Sequence, residues 1–339
     1  YEAGNLLGAI GGVALLSSSI PQWIFTSIIA GVSLMLLFFG KTDQVAQLLG
    51  AVVALMGLAL LYAAFVTDID WPEASKGIIV PQVPEGGTLI VLGLIGTTIV
   101  PYNIFLGAGM AEGKSLINMR QGLVLSVILG GVISMAVVVL GANLTTDFSF
   151  EAMYDMLGDT HGKWMGYVFV FGLFGAGFTS TITAALAGAM TIRSIHPKGN
   201  GWKDQSLQFR SLWALIVLVG FLFGVSGVKP IPVIIAAQAA NGLILPLITL
   251  AIWVLVNRYD YLKTFMNGLW LNLAMFITLF VTSALGGLNV LKAIFGALGR
   301  TWRVDSFLLL SIGVFAFVVA IAGGLAILKE RAKTKTFTQ

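Results

Sequence analysis

The sequence predicts an all-α, polytopic membrane protein, and three observations carry that prediction. Of its 339 residues 58% are hydrophobic and 10% charged, with a mean hydropathy of +0.95. A soluble chain of this length carries about 25% charged residues. The apolar residues fall in blocks that approach or exceed the roughly 20 residues a bilayer-crossing helix needs. Those blocks hold essentially no ionisable group. The 15 acidic residues lie in linkers or at block edges, and Glu2 comes closest to an interior. A water-soluble globule, a disordered chain, a collagen and a coiled coil are all excluded. The short alternating strands of an outer-membrane barrel are not seen.

Ten blocks qualify as spans in chain order: 3–19, 22–39, 44–67, 88–111, 119–141, 163–192, 211–228, 231–256, 265–285 and 305–328. If they are consecutive, the linkers alternate between two faces. One face collects Lys41, Lys114, Arg120, Arg193, Lys198, Lys203, Arg210, Arg258, Lys263 and the basic residues of the 329–339 tail. The other holds only Lys76, Lys163, Lys229, Lys292, Arg300 and Arg303. The positive-inside rule puts the richer face in the cytoplasm. Both ends of the chain are then cytoplasmic, and 329–339 is a basic cytoplasmic tail on a single transmembrane domain. The outer face carries two acidic linkers, around Asp68, Asp70 and Glu73 and around Asp147, Glu151, Asp155 and Asp159. They read first as solvated loops, and second as cation-attracting surfaces. The 41 glycines, dense in GLFGAGFTSTITAALAGAM at 172–190, read as close helix packing in lipid. Trp23, Trp71, Trp164, Trp213 and Trp302 sit near span ends, where interfacial anchors belong. The chain opens on Tyr1 with no signal peptide, so sequence upstream of it is expected. With no long soluble domain, the expected location is a bacterial inner membrane, and the expected state is a monomer.

The chemistry is defined largely by what is lacking. There is no cysteine, and the two histidines, His161 and His196, lie in polar linkers. Disulfides, thiolate sites and an imidazole-built metal centre are therefore not expected, and neither is a cofactor. No HExxH is present, and the GVSG at 224–227 has no base near it in sequence. An enzyme is not the reading. A net charge of +4 asks for no nucleic-acid partner. The partners expected are a small solute and the bilayer.

Two spans nevertheless look interrupted. The fourth reads GTTIVPYNIFLGAG at 96–109, where Pro101 removes a backbone donor amid Thr97, Thr98, Tyr102 and Asn103. Freed carbonyls in such a segment can coordinate a cation. A plain proline kink is the alternative. The eighth reads KPIPVIIAAQAANGLILPL at 229–247, with Gln238 and Asn241 three apart on one helical face. Amides deep in lipid need partners or a water-filled cavity, so interhelical bonding and a binding site both fit.

The 96–109 segment resembles the sixth helix of the Nramp family of divalent metal transporters, which usually reads A-x-x-M-P-H-N. The likeness continues in order: YEAGNLLGA at 1–9 is similar to the start of the third helix, GLFGAGFTSTITAALAGA at 172–189 to the eighth, QFRSLW at 208–213 to the entry of the ninth and AAQAANGLILP at 236–246 to the tenth. The resemblance implies a LeuT-type fold of two inverted five-helix repeats followed by extra helices. It implies that this chain lacks the first two helices, and with them a D-P-G-N motif that ligates the metal. It places the carbonyl-donating alanine at Thr97, the thioether methionine at Val100, the proline and asparagine at Pro101 and Asn103, the proton-linked histidine at Tyr102 and the tenth-helix glutamine at Gln238. Of two acidic residues three apart in the third helix, Glu2 matches the first and Asn5 replaces the second. The ninth-helix arginine of the proton route matches Arg210.

The departures from the family pattern bear on the cargo. A thioether is a soft ligand, favouring Mn, Fe and heavier metals. Val100 offers no lone pair, and Thr97 adds a hydroxyl. Such a site is oxygen-rich and suits a hard ion that keeps part of its water. The expectation is alternating-access transport of a hard divalent cation, Mg2+ first and Mn2+ second, as in Nramp-related magnesium carriers. Tyrosine titrates near pH 10, against about 6.5 for histidine, so proton coupling through Tyr102 is expected to be weak or absent. The alternatives are a same-fold carrier of an organic substrate such as an amino acid, and an inactive truncated relative.

Overall fold

The computed structural model describes residues 1–16, 20–39, 42–69, 71–80, 87, 91, 94, 100–109, 115–195, 206–297 and 306–337. At some helical positions, Tyr102, Gln238 and Asn241 among them, only the backbone is described. The described residues are helical with no strand. In chain order the helices are α1 (Glu2–Ala14), α2 (Gln22–Phe39), α3 (Thr42–Val66), α4 (Trp71–Ile79), α5 (Pro101–Gly109), α6 (Leu116–Gly141), α7 (Phe150–His161), α8 (Lys163–Ile195), α9 (Leu207–Val225), α10 (Pro230–Leu255), α11 (Tyr259–Leu262), α12 (Leu269–Ala297) and α13 (Ser306–Phe337), with one 3-10 turn at Lys263–Phe265.

Six stretches among the described residues are long and apolar enough to cross a membrane: α2, α6, α8, α9, Leu269–Leu288 of α12 and Phe307–Ala332 of α13. Gly50–Val66 and Ile244–Leu255 are shorter apolar helices. The protein is therefore a multi-pass α-helical membrane protein. Half of the expected fourth span lies outside the described residues. The polar linkers hold more structure than their composition suggested. α4 and α7 are helices within them, and α7 starts where the Ser149 hydroxyl accepts from the Ala152 N–H at 3.0 Å, an N-cap.

The chain divides into two compact units, one of residues 1–81 and 102–234, the other of 82–101 and 235–339. In the first, α1 runs antiparallel to α8 with backbones in contact. A Cβ on Gly12 would lie 2.9 Å from the Val170 carbonyl oxygen, and one on Gly177 would collide with the Ala9 nitrogen. α3 seats Met56 over Gly172, and around Leu60, Leu140, Met153, Leu157 and Met165 it shares a core with α6, α7 and α8. α9 packs on α2 and α8 through Phe209, Trp213 and Val217. Trp213 is 5% exposed, so it is a core residue and not the interfacial anchor its position near a span end suggested. Trp23 and Trp164, more than half exposed, keep the exposure an anchor needs.

In the second unit α12 and α13 are antiparallel partners. Trp253 of α10 meets Leu279 and Ile327. The turn from α10 to α12 is held by amides: Asn272 Oδ1 accepts from Trp253 Nε1 at 2.8 Å and from Asn257 Nδ2 at 2.7 Å. Asn272 Nδ2 donates to the Asn267 and Gly268 carbonyls, and Arg331 of α13 donates to the Asn267 carbonyl.

Candidate functional site

The sequence points first to Pro101, and there the backbone changes state. Val100 is non-helical and half-buried, and α5 begins at Pro101 itself. Proline suits the first helical position, because its absent N–H would be unpaired there in any case and its φ is preset. Asn103, two residues on, is exposed. Thr97 lies outside the described residues, and so does the side chain of Tyr102.

The other interruption has a different form. α10 is helical throughout, with Pro246 inside it. The helix continues past the proline, which leaves the Gly242 carbonyl without its usual donor four residues on. Gln238 and Asn241 lie in the turns before this point, and their side chains fall outside the described residues. Val100, Pro101, Gln238 and Asn241 belong to the second compact unit, and Glu2, Tyr102, Asn103 and Arg210 to the first.

Within the first unit Glu2 and Arg210 are far apart. Glu2 is 6% exposed, and its side chain packs on Gly220 of α9, where a Cβ would come within 2.9 Å of the Glu2 Cγ. Both its carboxylate oxygens lack a hydrogen-bond partner among the described residues, as does Asn5 Nδ2 one turn along α1. Arg210 stands ten residues before Gly220, about 15 Å along the helix at 1.5 Å per residue. Its guanidinium lies over the Phe38 ring, 4.3 Å from the centroid, a cation–π contact. The two residues assigned to one proton route therefore sit at different levels of α9.

Among the described residues no three His, Asp or Glu side chains converge as a metal-holding group. The donors the described residues offer a cation are chiefly carbonyl, amide and hydroxyl oxygens. The non-helical Val100 before Pro101 and the amide residues of α10 are of that chemical type.

The family profile described as "Nramp: Natural resistance-associated macrophage protein-like" matches residues 1–292. The chain belongs to the Nramp family. Members of this family are metal transporters, not enzymes. Among relatives, this Nramp chain is 25% identical over 288 residues to the "Divalent metal cation transporter MntH" of Granulibacter bethesdensis, covering 78% of this chain and 63% of that protein. It is 24% identical over 277 residues to the protein of the same name from Acidiphilium cryptum, covering 76% and 62%. It is 22% identical over 203 residues to the "Metal transporter nramp1 homolog" of Dictyostelium discoideum, covering 54% and 38%. The Nramp chain thus spans less than two thirds of the length of these relatives.

Sequence reasoning missed the Trp253–Asn257–Asn272 cluster and the seating of Glu2 on Gly220. The first had a signal, since Asn257, Asn267 and Asn272 bracket one short linker between apolar blocks. The second had none, because Gly220 is one glycine among many.

Proposed function

We propose that this Nramp chain forms the transmembrane body of a divalent-cation transporter that works by alternating access, with Mg2+ the favoured cargo and Mn2+ the next. Ten spans in a LeuT-type pair of inverted repeats supply the frame, as one transporter domain over 1–339 ending in the basic 329–339 tail. The chain acts as a monomer in a bacterial inner membrane with both ends in the cytoplasm. Family membership supports the transport reading, as do the names of the MntH relatives.

One observation carries the choice of ion. Val100 stands at the non-helical position before Pro101, where the family pattern has a methionine. Without a sulfur, the donors left by the family pattern are Thr97, backbone carbonyls and the amide of Gln238, all through oxygen. Mg2+ takes oxygen ligands and gives up its water reluctantly, so carbonyls plus retained water suit it. Soft ligands are what select the later transition metals. The family resemblance gives Pro101, Asn103 and Asn241 the role of helix breaks around the site. Tyr102 stands where the family has its proton-linked histidine, and Asn5 where it has a second acid. Proton coupling through Glu2 and Arg210 is therefore weak or absent.

Uptake of Mg2+, Mn2+ and Ca2+ into liposomes holding the full-length protein tests this. Mg2+ should enter fastest with little proton movement, and Val100→Met should shift preference towards Mn2+ by roughly tenfold, the value of about 1.4 kcal/mol of differential ligand energy. Uptake that acidifies the lumen in step with metal would remove the coupling claim. No uptake of any metal by folded protein would remove the metal reading and favour an organic substrate.

A further inference from the structure

A groove of about 560 Å³ lies within the second unit, walled by α12 and α13 and closed on one side by Pro246 and Leu247 of α10. Its wall is apolar. The Ser311 hydroxyl is bonded back to the Phe307 carbonyl at 2.8 Å, and the Ser283 hydroxyl is buried away from the surface. Both long walls belong to stretches apolar enough to cross a bilayer, and the groove's rim is open, with Leu247 69%, Val290 39% and Phe315 55% exposed. Hydrocarbon is the medium expected at that rim of a multi-pass membrane protein.

The dimensions select the occupant. The groove follows α13 from Leu308 to Val319, about 16 Å at 1.5 Å per residue. One leaflet of a bilayer whose hydrocarbon core is about 30 Å thick measures about 15 Å. One extended hydrocarbon chain of a single leaflet has that length, and the groove's wall is apolar along all of it. The groove starts where α13 begins and α12 finishes, so a chain entering from the membrane surface runs inward along α13. Gly286 and Gly287 keep the α12 wall low. A Cβ on Gly287 would meet Ile312 Cγ2 at 3.5 Å and Phe315 Cδ1 at 3.8 Å, ordinary contacts, and anything larger would fill the groove.

We propose that this groove between α12 and α13 is a lipid site, holding one acyl chain of a membrane phospholipid lengthwise from one leaflet. The site is independent of the cation reading, because apart from Pro246, which forms one side of the groove, it uses none of the same residues.

The test is photolabelling of the full-length protein in nanodiscs made of phospholipid with a diazirine in one acyl chain, followed by peptide mapping. Labelling of residues 286–291 and 308–319 should exceed that of the exposed α6 surface at 123–129, which reports ordinary boundary lipid, several-fold. In Gly287→Phe it should drop to the α6 level, and in Val314→Phe, whose position is exposed but outside the groove, it should not change. Should Gly287→Phe fail to fold by circular dichroism, Val290→Phe at the rim makes the same test. Groove labelling no higher than that of α6, or undiminished in a folded filled variant, would overturn the proposal.

Discussion

The α1–α8 seam of the first unit and the α10–α12–α13 junction of the second hold helices together by different physics. In the seam, helices meet through absent side chains. Gly12 and Gly177 let backbone touch backbone, and Ala9 keeps the surface opposite Gly177 low. Lipid tails are as apolar as leucine, so association there rests on dispersion over the contact area. At the junction the helices are tied by directional bonds: three side chains, Trp253, Asn257 and Asn272, share one amide oxygen and three backbone carbonyls. The seam tolerates no added atom, and the junction tolerates no lost partner.

The largest effect should come from adding bulk to the seam. Gly177→Leu drives a side chain into the backbone of Asn5 and Ala9, atoms that cannot rotate away. Overpacking typically costs 1–3 kcal/mol and sometimes more. A fall in thermal midpoint in detergent, or loss of folded protein on expression, is the expected result. Gly8→Ala sharpens the point from the same helix. Gly8 is buried, but a Cβ there meets nothing within 4 Å, so the change should raise the midpoint by the helix-propensity gain of about 1 kcal/mol. If both substitutions destabilise equally, glycine serves this helix in some way other than close approach.

Next in size is a lost partner at the junction. Asn272→Leu keeps the volume but orphans Trp253 Nε1 and takes one of two acceptors from Asn257 Nδ2. A buried group left unpaired costs about 1–3 kcal/mol. Asn257 is fully buried and has no water to turn to, although its Nδ2 keeps the Trp253 carbonyl at 2.9 Å. The loss should show in the melting midpoint, and in faster hydrogen exchange of the 256–268 turn with that of α1 unchanged. A midpoint within error of wild type would mean that the cluster decorates the junction without holding it.

The smallest effect belongs to the rim of that junction. Arg258 faces Asp260 and Glu330 at 3.5 Å each, and Asp260 is 74% exposed. Exposed pairs are worth about 0–1 kcal/mol, and Glu330 remains after Asp260→Ala. That variant should melt within about 0.5 kcal/mol of wild type. A larger loss would move the weight of the junction from amides to charges.

The spans were legible because apolar length survives any packing arrangement. α2, at Gln22–Phe39, coincides with its sequence block, and α6, α8, α9 and α10 differ from theirs by a few residues at the ends. α12 runs on to Ala297, past the expected end at 285, although Gly286 and Gly287 are poor helix formers; there it lies against α13 at Ile312 and Phe315. α4 and α7 went unread as helices because their polar composition sets them outside a search for spans, although the Ser149 cap was visible in the letters. Of the candidate site, the residue types and their order along the chain were legible from Pro101, Gln238 and Asn241. Distance was not: Glu2 and Arg210 belong to one expected route, yet they lie at levels of α9 about 15 Å apart.

Composition and periodicity settle which segments must leave water, and the sum of apolar surface decides that without reference to neighbours. For this chain that meant helices of bilayer length, polar segments between them and a family pattern readable in order. Which faces of those helices meet is a question of shape, and shape appears only when helices touch. Trp213 could have anchored at an interface, and packing against Ala185 and Ala189 buried it instead. Gly177, Gly220 and Gly287 are the same letter. One admits a backbone, one admits the Glu2 side chain, and one leaves a groove open to the membrane, according to what stands opposite.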